Sequence, residues 1–224
     1  MPDATFCQIG GARLALYSHP CVFWEAAQTL FVSDVHLGKT AAFRAGGIPV
    51  PDSLFDDLDR LSEAIAAVGA RRLVVLGDLV HSQEGLPGSL VEAVQRWRDL
   101  HKNVEMALVP GNHDQVDRET ITGWHIDILS EVHIEKPFVL CHDPAEAEPY
   151  HSQGYVISGH IHPAVTLSGA ARQHLRFPCF VFGRSRAILP AFGSFTGNAR
   201  FRAEPGDRVF VIADSSVVEV GPGL

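Results

Sequence analysis

The 224-residue sequence has no run of about 18 apolar residues, which excludes a membrane-spanning helix. Cysteine is scarce: Cys7, Cys21, Cys141 and Cys179 are scattered and form no Cys-x-x-Cys pair. That argues against a zinc ribbon or a disulfide framework, and for reduced thiols in a cytoplasm. The N-terminus has no basic segment followed by an apolar one, so no secretory signal is expected. Net positive charge is also missing. The formal charge of −8 does not announce a nucleic-acid binder. Repeats, low-complexity tracts and linkers are absent, and one domain over residues 1–224 is expected. The chain is 46% hydrophobic and 20% charged, enough to bury a sizeable core, so disorder, collagen and coiled coil are poor readings.

What is present is unevenly spread. Acids crowd residues 51–63 (Asp52, Asp56, Asp57, Asp59, Glu63). Residues 171–208 carry Arg172, Arg176, Arg184, Arg186, Arg200, Arg202 and Arg208 against only Glu204 and Asp207. A domain-wide average can hide such a basic face. The twelve histidines are a larger excess, and neutral imidazole is the commonest metal ligand.

Apolar patterning predicts strands at 5–9 and 13–17 around Gly10-Gly11, then at 21–24 and 29–33. Residues 51–68 read as a helix with Leu54, Phe55, Leu58, Leu61, Ile65 and Val68 on one stripe and Gly69 as its stop. Strand 73–76, helix 89–100 and strand 104–109 follow, an alternation that implies parallel pairing. Beyond residue 125 short strands dominate, at 132–135, 138–141, 155–158, 164–167, 179–182, 187–189, 208–213 and 217–220. The expected fold is an α/β sandwich: two mixed sheets face to face, flanked by helices.

Five apolar strands each run into a polar cluster: Asp34-Val35-His36, Gly77-Asp78, Gly111-Asn112-His113-Asp114, His142-Asp143 and Gly159-His160-Ile161-His162. Functional groups of open α/β sheets gather beyond the carboxyl ends of strands, so five such ends can converge. Asp34 and His36, like His160 and His162, are two residues apart. On an extended segment each pair points to one side. Carboxylate, imidazole and amide oxygen without thiolate suit Mn, Fe, Zn or Co rather than a structural zinc site. Seven donors (Asp34, His36, Asp78, Asn112, His142, His160, His162) exceed the need of one tetrahedral ion. Two ions about 3.5–4 Å apart, sharing a carboxylate, use them all. Taken singly, each cluster has a plain reading: a chance Asp-x-His, a Gly-Asp turn, an Asx turn or a core histidine. The ordered set of five does not.

That order resembles the calcineurin-like metallophosphoesterase superfamily: Asp-x-His, Gly-Asp, Gly-Asn-His-Asp/Glu, a lone His, then Gly-His-x-His. The resemblance implies one ion held by Asp34, His36, Asp78 and His162, and another by Asp78, Asn112, His142 and His160. Asp78 would bridge. His113 would stand outside the ions, stabilising the transition state or protonating the leaving oxygen. Residues 34–51 and 189–197 also resemble the bacterial ligase-associated metallophosphoesterases, the PdeM family; Asn198 departs from a glycine often found there. This narrower resemblance implies a manganese-dependent phosphodiesterase with DNA endonuclease activity in repair, encoded beside a DNA ligase and a helicase.

In the expected mechanism two dications turn a bridging water into hydroxide, which attacks phosphorus in line, and His113 supplies the leaving-group proton. DNA, single-stranded or with damaged ends, is the expected substrate. A small phosphodiester or a nucleotide-sugar pyrophosphate is the alternative, and a non-catalytic subunit of a ligase–helicase complex a third reading. Lys39 and Arg44 can hold a flanking phosphate or lie on a solvated loop. Phe192 and Phe195 can stack on bases or fill the core. His81 is expected to orient a ligand or a phosphate.

Overall fold

The computed structural model describes residues 4–168 and 174–221, so Arg172 lies outside the described residues. Strands β1 (Thr5–Ile9), β2 (Ala12–Tyr17), β3 (Cys21–Trp24), β4 (Thr29–Val32), β5 (Arg72–Leu76), β6 (Glu105–Val109) and β7 (Asp127–Ile128) form a first sheet in chain order. Pairing is antiparallel from β1 to β4 and parallel from β4 to β7. Its helices are α1 (Lys39–Ala45), α2 (Leu54–Val68), α3 (Gly88–Leu100) and α4 (Arg118–Gly123).

The second sheet takes β8 (Val132–Glu135), β9 (Phe138–Cys141), β10 (Tyr155–Ser158), β11 (Pro163–Ser168), β12 (His174–Phe182), β13 (Arg186–Ile188), β14 (Ala199–Arg200), β15 (Arg208–Ala213) and β16 (Ser216–Val220). Its order is β14-β11-β12-β13-β10-β9-β8, with β15 pairing β12 and β16. Strands β9, β10 and β13 run parallel; β12 runs against β13, β11 and β15.

The sheets pack face to face, as the sequence implies, and the apolar runs show why. Phe31, Val74, Leu76 and Val109 point across the sandwich to Phe138, Leu140, Ile157, Phe180 and Phe182. Their neighbours Leu30, Val32, Leu73, Val75 and Leu108 point the other way, into Leu58, Leu61, Ile65, Val94 and Trp97 of α2 and α3. Strands buried on both faces cannot alternate polar and apolar, so they read as unbroken runs. Each large side chain so buried contributes roughly 1.5–3 kcal/mol. On the outside of the second sheet, the 3₁₀ segment Pro144–Tyr150 packs Ala147 over Val139, Cys141 and Val156.

Helix α2 begins at Leu54, later than expected, because Asp52 Oδ1 accepts the Leu54 N–H at 3.0 Å and leaves Pro51 outside. Gly69 ends it at φ 63°. Helix α1 was not expected, and β12 is nine residues long where only residues 179–182 read as strand. Among the described residues no helix is long and apolar enough to cross a membrane.

Candidate metal centre

The ends of β4, β5, β6, β9 and β10 meet between the sheets, and all seven expected donors come together there. Two clusters form. In one, Asp34 Oδ1 lies 3.0 Å from His162 Nε2, and His36 Nε2 lies 3.7 Å from Asp78 Oδ2. In the other, His142 Nε2 lies 3.0 Å from both Asn112 Oδ1 and His160 Nδ1. The same nitrogen is 3.5 Å from Asp78 Oδ2, so one carboxylate oxygen of Asp78 faces both clusters. A third trio of ring nitrogens, from His36, His81 and His113, also lies within 4.8 Å of one another.

Tautomers decide what these contacts mean. His142 Nδ1 is 3.1 Å from the Leu76 carbonyl and His162 Nδ1 is 2.9 Å from that of Gly197. Carbonyls only accept, so both Nδ1 atoms carry a proton, and in the neutral rings both Nε2 atoms are bare. Bare nitrogen then faces carboxylate and amide oxygen at 3.0 Å, lone pair to lone pair. A cation is what such a set fits. Donors about 2.1 Å from one ion sit roughly 3.0 Å apart on neighbouring vertices of an octahedron.

Electrostatics agrees. Asp34 and Asp78 are 0% and 2% exposed, and burying two carboxylates side by side is costly without a counter-charge. Burial, reinforced by Asp34, pushes the Asp78 carboxyl above its ordinary range. His36 is driven down to about 2 by burial and by Lys39 and the neighbouring imidazoles, so it stays neutral and able to ligate. Burial pulls His162 down, but Asp34 offers its imidazolium form a hydrogen bond and a charge that outweigh burial and raise it overall; a cation between the two would take the place of that proton. His36 Nδ1 and His81 Nδ1 are buried without a hydrogen-bond partner among the described residues.

The backbone corrects one expectation. Asp34, His36, Asp78, His160 and His162 have φ of 54°, 53°, 53°, 67° and 48°, so neither Asp-x-His nor His-x-His is extended. Left-handed residues still alternate with core residues, since Val35 and Leu37 are buried, and both polar side chains therefore reach the centre. Each such residue costs roughly 1–3 kcal/mol. The two loops hold one another in place: Asp34 N–H donates to Gly77 O at 3.1 Å, His36 N–H to Asp78 O at 2.8 Å and Leu37 N–H to Leu79 O at 2.8 Å. Gly77, at φ 78°, lies where any Cβ would overlap the His142 ring, and a Cβ at Gly159 would overlap the Asp34 carboxylate.

The other expected residues divide. His113 donates its backbone N–H to Asp78 Oδ1 at 2.9 Å. Its ring stacks on His81 at 4.9 Å, and its Nδ1 is held by the His81 carbonyl at 3.0 Å. Burial also lowers His81, to about 4. Lys39, first residue of α1, is half-buried; burial lowers its pKa against the pull of Asp78 and Asp34, which it faces. Arg44 does not join them, because its guanidinium is 2.8 Å from Asp52 Oδ2. Phe192 is core, with Arg60 over its ring at 4.9 Å. Phe195 is 37% exposed and meets Phe43 edge-on at 5.6 Å.

Two supporting groups escaped the sequence reading. Asp114 accepts the N–H of Val80 and of Gly111, each at 2.9 Å, and ties the Asp78 and Asn112 loops together. Burial raises it to about 6 despite those bonds. Asp57 of the acid-rich helix accepts the Ser194 N–H at 2.8 Å, and Arg60 donates to Phe192 O at 2.9 Å. They anchor the loop whose Gly197 orients His162. Asp114 stood in a recognised motif without a role; nothing in the sequence distinguished Asp57 from its acidic neighbours.

A sequence model described as calcineurin-like phosphoesterase matches residues 27–144. The solved structure of the nuclease MPE of Pseudomonas putida is 29% identical, covers 97% of this chain and 100% of its own, and superposes with a TM-score of 0.79. That of Yfce, a phosphoesterase from E. coli, is 18% identical, covers 87% and 99%, and has a TM-score of 0.45. No curated protein matches significantly.

Proposed function

The chain belongs to the calcineurin-like phosphoesterase family, and from that premise we propose that it is a two-metal phosphodiesterase that cleaves DNA, single-stranded DNA above all, in repair. The observation that carries the two-metal reading is Asp78 Oδ2, placed 3.7 Å from His36 Nε2 and 3.5 Å from His142 Nε2, between two sets of bare donors. Asp34, His36 and His162 would hold one ion, Asn112, His142 and His160 the other. Manganese is the proposed metal; iron and zinc suit the same donors. Such ions lower the pKa of water and neutralise phosphoryl charge when bound. The nuclease reading is supported by the Pseudomonas putida nuclease, similar along its entire length.

The chain's own groups supply the rest. Lys39 brings a half-buried positive charge to the centre, where it holds a phosphoryl oxygen. His113 is fixed by the His81 carbonyl at Nδ1, which leaves Nε2 to hold the proton that the departing oxygen needs. Arg44 stands at the surface 2.8 Å from Asp52 Oδ2, a pair weak enough for a substrate phosphate to displace.

The test is hydrolysis by metal-stripped protein with Mn²⁺ restored. A bis-aryl phosphodiester, an aryl phosphomonoester and a circular single-stranded DNA are compared, with Asp78→Ala as control. Cleavage of the circle, lost in the variant, is expected. Hydrolysis of the diester with the circle intact would move the substrate to a small phosphodiester or pyrophosphate. Inactivity on all three would sink the catalytic reading. Association with a DNA ligase and a helicase rests on the resemblance alone, and a native pull-down that recovers neither would remove it.

A further inference from the structure

Strand β12 is longer than the sandwich that covers it. Its second half packs Phe180 and Phe182 into the core between the sheets. Its first half continues past that core, and Arg176 there is exposed. The direction of this overhang follows from the pairing. β10 and β13 run parallel and β12 runs against β13, so β12 starts at the sheet end where β10 delivers His160. β11 begins directly after His162, beside Pro178, and runs outward along the overhang to pair Thr166 with Arg176. β14 lies on its far side, with Ala199 N–H bonded to His162 O at 2.9 Å and Arg200 paired to Ala164.

Register also fixes the face. Phe177, Cys179 and Val181 point to the outer apolar cluster, so Arg176 shares the opposite face with Phe180 and Phe182. By the same pairing Thr166, Ala164 and Arg200 lie on Arg176's face. That face leaves the metal centre at His162, is covered at Ala164, and opens to solvent further out at Arg176 and Arg200. Beside it, Thr166, Arg200 and Arg202 line a groove of about 360 Å³ together with Val165 and Phe201. Arg200 and Arg202 are exposed, and among the described residues neither they nor Arg176 has an acidic partner. The acids of the same stretch are committed elsewhere: Glu204 lies 3.5 Å from Arg186, and Asp207 bonds its own turn.

We propose that this overhang, with Arg176, Arg200, Arg202 and Thr166, is the track on which a single-stranded nucleic acid lays its backbone as it leaves the metal centre. Three unpaired guanidiniums and a hydroxyl suit a row of phosphates. A single strand is flexible enough to follow the edge of one sheet. A chain of net charge −8 can bind a polyanion if its positive charge is concentrated beside the site of cleavage. The inference rests on the nuclease reading and adds where the substrate lies.

The test compares wild type with the triple variant Arg176→Ala, Arg200→Ala, Arg202→Ala. Circular single-stranded DNA and a bis-aryl phosphodiester are assayed across a salt series with Mn²⁺. The ratio of kcat/KM for DNA to that for the diester should fall at least about tenfold. The log–log salt dependence for DNA should become shallower by about 2 units, at roughly 0.7 per phosphate contact. The exposed Arg96→Ala on α3 should leave the ratio alone. Turnover of the diester reports that the triple variant is folded. An unchanged ratio and slope would overturn the track, as would an equal loss on both substrates. Wild-type protein that hydrolyses the diester but never DNA would instead refute the nuclease reading.

Discussion

The ends of β4 and β5 bring Asp34, His36 and Asp78 to the centre at 0%, 4% and 2% exposure. The end of β10 brings His160 and His162 with side chains 40% and 17% exposed. Left-handed backbone occurs on both sides, but on the first the loops interlock through backbone hydrogen bonds and the carboxylates are buried. On the second, the ligands look outward over a shelf of arginines. The contrast separates two jobs. Changes at the buried carboxylates and loops of the closed side should remove metal or stability, and changes to the arginines of the open side should alter how substrate is held.

The largest effect should come from Asp78→Ala, which removes the shared ligand. Activity on any ester is expected to fall about 10³-fold or more, with metal binding, as assays after metal reconstitution would show. His113→Ala should lower kcat about 10²-fold on an ester with a poor leaving group while both ions stay bound. Full rate in that variant would refute the proton-holding role. Gly77→Ala should cost about 2 kcal/mol or more of stability, because it forces a strained backbone and presses on His142. Denaturant melts would detect it.

Asp78→Asn makes a subtler case. The Asp78 carboxyl is raised in the fold, so the stability linked to it is present below its unfolded pKa and lost as pH climbs through the folded value. At neutral pH the metal-free variant should therefore melt a few degrees above metal-free wild type. A lower melting temperature would break the claim that the closed side is strained without its ions. Smallest of all, Arg44→Ala should cost under about 1 kcal/mol, since its pair with Asp52 is solvent-exposed.

The closed side was the more legible in sequence. The apolar runs 30–32, 73–76 and 106–109 of β4, β5 and β6 and the polar clusters after them announced themselves, because burial on both faces leaves no polar interruption within the run. The left-handed turns at Asp34 and His36 did not, since the i,i+2 spacing reads the same on a strand. Helix α1 was hidden by its length of seven residues and by Gly46 and Gly47 behind it. The overhang of β12 lacked an apolar pattern because half of it is not covered. The seven donors could be named from motif order, but which nitrogen faces inward depends on Leu76 and Gly197 carbonyls, which no sequence pattern marks.

Metal content per chain, measured after stripping and equilibration with excess Mn²⁺, tests the central claim most directly. Two ions in the wild-type protein and one in His162→Ala are the expected result. A single ion at saturation in the wild type would contradict a centre built around a shared Asp78.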